Sequence, residues 1–170
     1  MTKVRRAIIV VCLGLAPVTV LAGARAAVGR PAVLFNPSPS EPPGLYRLSS
    51  ERPVPGRIIA FKVPAAGRAY AAAHLTYVAR NAILKEIAAG EGALVCERGG
   101  LVSIEGRVRG KVANVDRAGV PLPHWSGCRR LASGQFFVLS NRIPNSFDSR
   151  YYGPVSRSDL LGVYQPLWTE

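Results

Sequence analysis

Residues 7–24 read AIIVVCLGLAPVTVLAGA, eighteen positions without a charged side chain, and they follow directly on Lys3, Arg5 and Arg6. A run this apolar directs the chain to a membrane. It is at the short end for a spanning helix and longer than the usual apolar core of a secretory signal. Pro17 is tolerable in both, and Ala22, Gly23 and Ala24 offer small residues for cleavage. An uncleaved anchor is the favoured form, with a cleaved signal as the alternative. The basic residues ahead of the run hold the amino terminus on the cytoplasmic side, and Arg25 and Arg30 beyond it do not outweigh them. Residues 31–170 are exported in either case. The chain thus divides into an anchor or signal segment, 1–30, and an exported domain, 31–170.

A chain of 170 residues has room for about one domain with a sizeable core. Basic residues outnumber acidic ones by 22 to 10, an excess that permits attraction to anionic surfaces. They are mostly scattered arginines, with no basic helix and no aromatic RNA-binding motif, so membrane contact is expected and direct nucleic-acid binding is not. Three cysteines without a Cys-x-x-Cys pair, and only His74 and His124 as imidazoles, make a poor metal site. Neither a metal nor another cofactor is expected. Export places Cys96 and Cys128 where a disulfide persists, while Cys12 falls inside the apolar run. A Cys96–Cys128 bridge closes a loop of about thirty residues, worth about 3–4 kcal/mol on the chain-entropy model. Two buried free thiols are the alternative.

Within 31–48, Pro37, Pro39, Pro42 and Pro43 forbid helix and impose extended backbone. A strand is predicted over 57–63, between Gly56 and Pro64. The Ala-rich segment 67–81, with Tyr70, Ala73 and Tyr77 spaced along it, predicts a helix. Short β-like runs follow at 82–88, 93–97, 101–104, 111–115, 135–140 and 160–167, separated by Gly, Pro and Asn. The expected fold is mainly β with one early inserted helix and an N-terminal membrane-directed helix. The Gly- and Pro-rich stretch around 98–134 reads as a cap-like excursion held by the proposed bridge.

Three segments carry chemistry. If 38–40 is extended, Ser38 and Ser40 present both hydroxyls to one side, with Pro39 stiffening the backbone between them. Such a pair suits a nucleophile and a neighbouring oxyanion donor, although serine and proline are also ordinary loop residues. In Ile83-Leu84-Lys85-Glu86-Ile87, period-2 alternation sets Lys85 between Ile83 and Ile87 on an apolar face. Desolvation there lowers the pKa of an amine, as a lysine general base requires. The plainer reading is a lysine snorkelling from a strand edge with Glu86 as its partner. The third segment, 140–153, gathers polar residues after an apolar strand. Asp148 and Arg150 can pair there and fix a loop presenting Ser146 or Ser149, or they form a surface ion pair worth little.

In their order and wording these segments resemble the type I signal peptidases, serine proteases with a Ser-Lys dyad, and in particular the conjugative-transfer branch of TraF-type peptidases. The resemblance lies in Asn36-Pro37-Ser38-Pro39-Ser40-Glu41-Pro42-Pro43-Gly44-Leu45-Tyr46, in Gly56-Arg57-Ile58-Ile59-Ala60-Phe61, in 83–87 with Gly90 and Gly92, and in 145–153. It covers roughly residues 34–167 and implies a signal-peptidase-like β fold. Carried over, it makes Ser40 the nucleophile and Lys85 the base, and gives the oxyanion hole to Ser38 and the Ser40 N–H. Ser146 becomes the residue that hydrogen-bonds and orients the lysine, with Asp148 and Arg150 as the supporting pair. Glu86 stands where the wider family usually has Arg, and Gly92-Ala93 and Ser140-Asn141-Arg142 replace its Gly-Asp and Gly-Asp-Asn, departures that suit the conjugative branch. The implied activity is a membrane-associated serine endopeptidase processing an exported precursor with small residues at the cut. A conjugative pilin, matured by cleavage or by cyclisation, is the expected substrate. The expected location is the inner membrane with the catalytic domain in the periplasm, or the periplasm after signal cleavage. The alternatives are a general type I signal peptidase and a non-catalytic exported binding module with this fold.

Overall fold

A computed structural model describes residues 30–170 of the chain. The expected membrane-directed helix over 7–24 and Cys12 lie outside the described residues. Among the described residues no helix is long and apolar enough to cross a membrane. Val33–Glu170 forms one compact unit.

Among the described residues the chain forms eleven strands: β1 (Val33–Asn36), β2 (Gly44–Ser49), β3 (Ile58–Phe61), β4 (Ile83–Ala89), β5 (Leu94–Arg98), β6 (Leu101–Ile104), β7 (Arg107–Lys111), β8 (Gly127–Arg130), β9 (Gln135–Val138), β10 (Val155–Ser156) and β11 (Leu160–Thr169). Three helices accompany them: α1 (Ala65–His74), α2 (Thr76–Arg80) and α3 (Ser149–Tyr152). The fold is therefore mainly β, as expected. A seven-stranded antiparallel sheet runs β1-β2-β11-β3-β4-β9-β10, and a smaller one runs β7-β6-β5-β8.

The larger sheet is buried on both faces near its middle. Ile59, Phe61, Ile87, Val138 and Val163 pack with Tyr151, Tyr152 and the α1 residue Ala71 on one side, and Tyr46, Ala60, Leu84 and Tyr164 cluster apart from them. Gly67 brings α1 close, since a Cβ there would sit 3.2 Å from the Tyr152 side chain. The smaller sheet packs Val95 and Val102 against Phe137.

Several expectations shift. The single helix over 67–81 is broken at Leu75 (φ −130°, ψ 59°), whose side chain turns onto the main core instead of continuing the helical face. The strand expected over 111–115 lies at Arg107–Lys111 instead. That segment is almost wholly exposed and is held by its ladder to β6, so it has no hydrophobic period to read. The proline-rich stretch is not extended throughout: β1 and β2 pair, Asn36 opposite Gly44, and residues 37–43 turn between them. Gly44 is required at this corner, because its φ is +142° and a Cβ would come within 2.8 Å of the Thr169 Cα.

Cys96 and Cys128 stand directly opposite each other on β5 and β8 and are bonded. The bridge spans 32 residues and encloses the β6 and β7 excursion. Labelling the full-length chain with a thiol reagent in denaturant, without reductant, is expected to modify Cys12 alone. Replacing both bridge cysteines by alanine is expected to lower the urea-unfolding free energy by about 3–4 kcal/mol. Labelling of all three cysteines would show that the bridge does not form.

Candidate active site

Ser40 lies in the turn between β1 and β2, and Lys85 in the middle of β4, flanked by β3 and β9. Lys85 pairs with Ile59 across the ladder, which puts its side chain on the sheet face that carries the main apolar cluster. Both side chains are buried, and Lys85 Nζ donates a hydrogen bond to Ser40 Oγ. Burial draws the Lys85 amine down to about 8, while the Asp148 and Glu41 carboxyls pull it partly back and Arg150 adds to the fall. Glu86 points outward from the strand, so the snorkelling arrangement with Glu86 as partner is not the one formed.

Ser38 Oγ is 3.0 Å from Ser40 Oγ, closer than an extended segment allows, where same-side residues stand roughly 6.6 Å apart. The turn at Pro39 and Ser40 draws them together. Asn36 shapes that turn: Oδ1 accepts the Ser38 N–H at 3.1 Å, and Nδ2 donates to the carbonyls of Ser38, Glu41 and Pro42 at 2.9, 3.1 and 3.1 Å. Tyr46 donates its hydroxyl to the Pro42 carbonyl at 2.7 Å. Ser140 donates to the Ser40 carbonyl from the far end of β9.

Asp148 and Arg150 form a buried pair, not a surface one, with side-chain exposures of 0% and 5%. Asp148 accepts Arg150 Nε and Nη2 at 2.8 and 2.9 Å and the Ser140 N–H at 3.2 Å. Arg150 spends its remaining donors on the carbonyls of Lys111, Ser140 and Ser146, at 3.2 to 3.3 Å. Of the two readings of this loop, a fixing pair or a surface ion pair, the first is the one formed, with the loop gathered around one guanidinium. Ser149 accepts the Val138 N–H at 3.0 Å and fastens the start of α3 to β9. Ser146 is buried and lines the same cleft as Lys85, yet its hydroxyl has no partner among the described residues. The expected bond from Ser146 to Lys85 is not made, because the amine points to Ser40 instead.

The cleft over these residues has a volume of about 330 Å³ and is walled by Leu75, Val78, Ile83, Ile143 and Phe147. Among the described residues no cluster of His, Cys, Asp or Glu could hold a metal ion. His74 stacks near Tyr70 on α1, and neither histidine lines the cleft. Asn36, Glu41 and Ser140 are site residues to which sequence reading assigned no role. An Asn two residues before a serine is an Asx-turn signal that pointed to the first. Ser140 meets Ser40 across 100 residues of chain, and no local pattern announces that contact.

The site thus sets a buried amine on a strand against a serine in a proline-bound turn. The family model described as signal peptidase, peptidase S26, matches residues 4–168, and the chain belongs to that family. A plasmid transfer protein TraF of Escherichia coli is 30% identical over 170 residues, covering 94% of this chain and 93% of that protein. A conjugal transfer protein TraF of Agrobacterium tumefaciens is 31% identical over 155 residues, covering 79% and 81%. Among solved structures, a signal peptidase I of Enterococcus faecalis aligns with a TM-score of 0.39 at 23% identity, covering 68% of this chain and 98% of that one.

Asp148→Ala is expected to leave Arg150 charged and unpaired in the interior and to cost about 3–5 kcal/mol in urea unfolding. A cost below about 1 kcal/mol, the range of a surface pair, would show that the pair does not brace the site.

Proposed function

We propose that the chain is a membrane-associated serine endopeptidase with Ser40 as nucleophile and Lys85 as general base, processing an exported precursor in a conjugative apparatus. The observation that carries this reading is the buried Lys85 amine, drawn to about 8 and hydrogen-bonded to Ser40 Oγ. A neutral amine there takes the Ser40 proton as Oγ attacks the scissile carbonyl, and the Ser40 N–H and Ser38 hydroxyl donate to the developing oxyanion. Collapse of the tetrahedral adduct breaks the C–N bond, and the Lys85 ammonium returns its proton to the leaving amine. Water then attacks the acyl-enzyme, Lys85 again taking the proton, and frees Ser40. Attack by the precursor's own amine in place of water would close a ring. The unpartnered Ser146 hydroxyl is placed in the cleft to receive the ammonium while Ser40 is acylated.

The relatives named for plasmid and conjugal transfer support a pilin precursor as substrate. The family description supports the broader alternative, removal of signal peptides from many secreted proteins. Membrane association has support in the cross-strand row Phe35, Leu45 and Trp168, whose side chains are exposed on β1, β2 and β11. The apolar run 7–24 ends shortly before that edge of the sheet. The domain would then work on the periplasmic side of the inner membrane.

Ser40→Ala and Lys85→Ala are each expected to abolish processing of a co-encoded pilin precursor, by the same factor singly and together, because the two act as one unit. Ser38→Ala is expected to lose on the order of 10- to 1,000-fold. Product mass separates the outcomes: two fragments for hydrolysis, or a pilin lighter by one further water for cyclisation. The initial rate should rise about tenfold per pH unit below about 8 and level off above it, as neutral Lys85 is populated. A profile flat from pH 5.5 upward, or activity retained by Lys85→Ala, would remove Lys85 as base.

A further inference from the structure

We propose that Glu41, the residue directly after Ser40, is a positioning residue whose buried carboxylate ties the nucleophile turn to the lysine strand and supplies negative charge facing the Lys85 amine. The proposal rests on the Ser40–Lys85 reading above and extends it to a group that reading does not use. Glu41 is 5% exposed, although glutamate is rarely buried without a reason. Its Oε1 accepts the backbone N–H of Glu86 at 3.0 Å. Glu86 directly follows Lys85, so the residue after the nucleophile grips the residue after the base.

The grip falls where the sheet lacks a partner of its own. On the β9 side of β4, the Glu86 carbonyl accepts the Leu139 N–H at 3.2 Å, just beyond the end of β9. The Glu86 N–H, which a strand directs to the same side, goes to Glu41 instead. A buried N–H must find an acceptor, and this carboxylate is the one supplied. The Glu41 main chain is held from the opposite direction, because Asn36 Nδ2 donates to its carbonyl at 3.1 Å. The turn carrying Ser40 is thus braced between β1 and β4.

Charge adds a second role. Two carboxyls face Lys85, those of Asp148 and Glu41, together with the guanidinium of Arg150. Asp148 is already committed to Arg150, whereas Glu41 has no ion-pair partner within contact distance among the described residues. The groups that face Glu41 are Lys85 and Glu86 on β4, Arg142 beyond β9, and the Tyr46 phenol on β2. Burial pushes the Glu41 carboxyl above its ordinary range, and the Glu86 N–H and Lys85 hold it partly back.

Two variants separate tether from charge in the full chain, assayed on the same precursor. Glu41→Gln keeps the volume and an acceptor oxygen but removes the charge. Its acid limb is expected to move to lower pH by roughly half to one unit, so that its rate relative to its own plateau is about 3- to 10-fold higher at pH 6. Glu41→Met keeps a similar volume without an acceptor, and its kcat is expected to fall on the order of tenfold or more with KM little changed. Urea midpoints check that both remain folded, and should Glu41→Met not fold, Glu41→Gln alone decides. A Glu41→Gln profile superimposable on that of the wild type, or a Glu41→Met kcat equal to it, overturns the proposal while leaving the dyad intact. Absence of an acid limb in the wild type itself would instead overturn the dyad reading.

Discussion

Burial of a single amine governs how the rest of the site is arranged. Lys85 sits in an interior strand, between β3 and β9, of a sheet packed on both faces, where an ammonium is disfavoured and a neutral amine is not. Two carboxyls stand near enough to reverse that preference. Asp148 raises the amine more than Glu41 does, and Arg150 offsets part of that pull. Arg150 takes both Asp148 oxygens, and its own charge lowers the amine. The buried ion pair therefore does more than brace a loop: its two charges act on the Lys85 amine in opposite senses.

The turn that carries Ser40 is held by two side-chain anchors that differ in kind. Asn36 sets the internal shape of the turn through its side-chain amide. Ser140 takes the Ser40 carbonyl and binds the turn to the end of β9. Ser140 is itself positioned by Asp148 through its N–H and by Arg150 through its carbonyl. Ser40 and Lys85 are thus referred to the same guanidinium, the first through hydrogen bonds and the second through charge. A shift of Arg150 would disturb distance and protonation together.

How much of this was legible in the sequence depended on how local its cause was. The apolar face that holds Lys85 shows in five consecutive residues, because strand alternation is a local period and Ile83 and Ile87 mark it. The proximity of Ser38 and Ser40 was also legible, although an extended segment was the wrong reason for it: the hydroxyls meet because the chain turns at Pro39. β8 could not be read at all, since Gly127–Arg130 is exposed throughout and owes its conformation to the ladder with β5. The buried state of Asp148 and Arg150 was equally hidden. Two charged residues two apart look the same in a sequence whether water or three carbonyls receive the guanidinium. The two side chains do pair, and only tertiary packing reveals that the pair is interior.

The same tertiary dependence reaches the excursion that carries the disulfide. β7 has little apolar surface to bury, so its position rests on its ladder with β6 and on the Lys111 carbonyl accepting from Arg150. That carbonyl is the one partner of Arg150 that comes from the smaller sheet. The Cys96–Cys128 bridge closes the pair of strands at the other edge of that sheet. Removing it would widen the freedom of a segment whose far edge completes the coordination of the guanidinium. A covalent link here stands in for a larger apolar core beneath the same strands. The bridge and the Arg150–Lys111 hydrogen bond thus hold opposite edges of the smaller sheet.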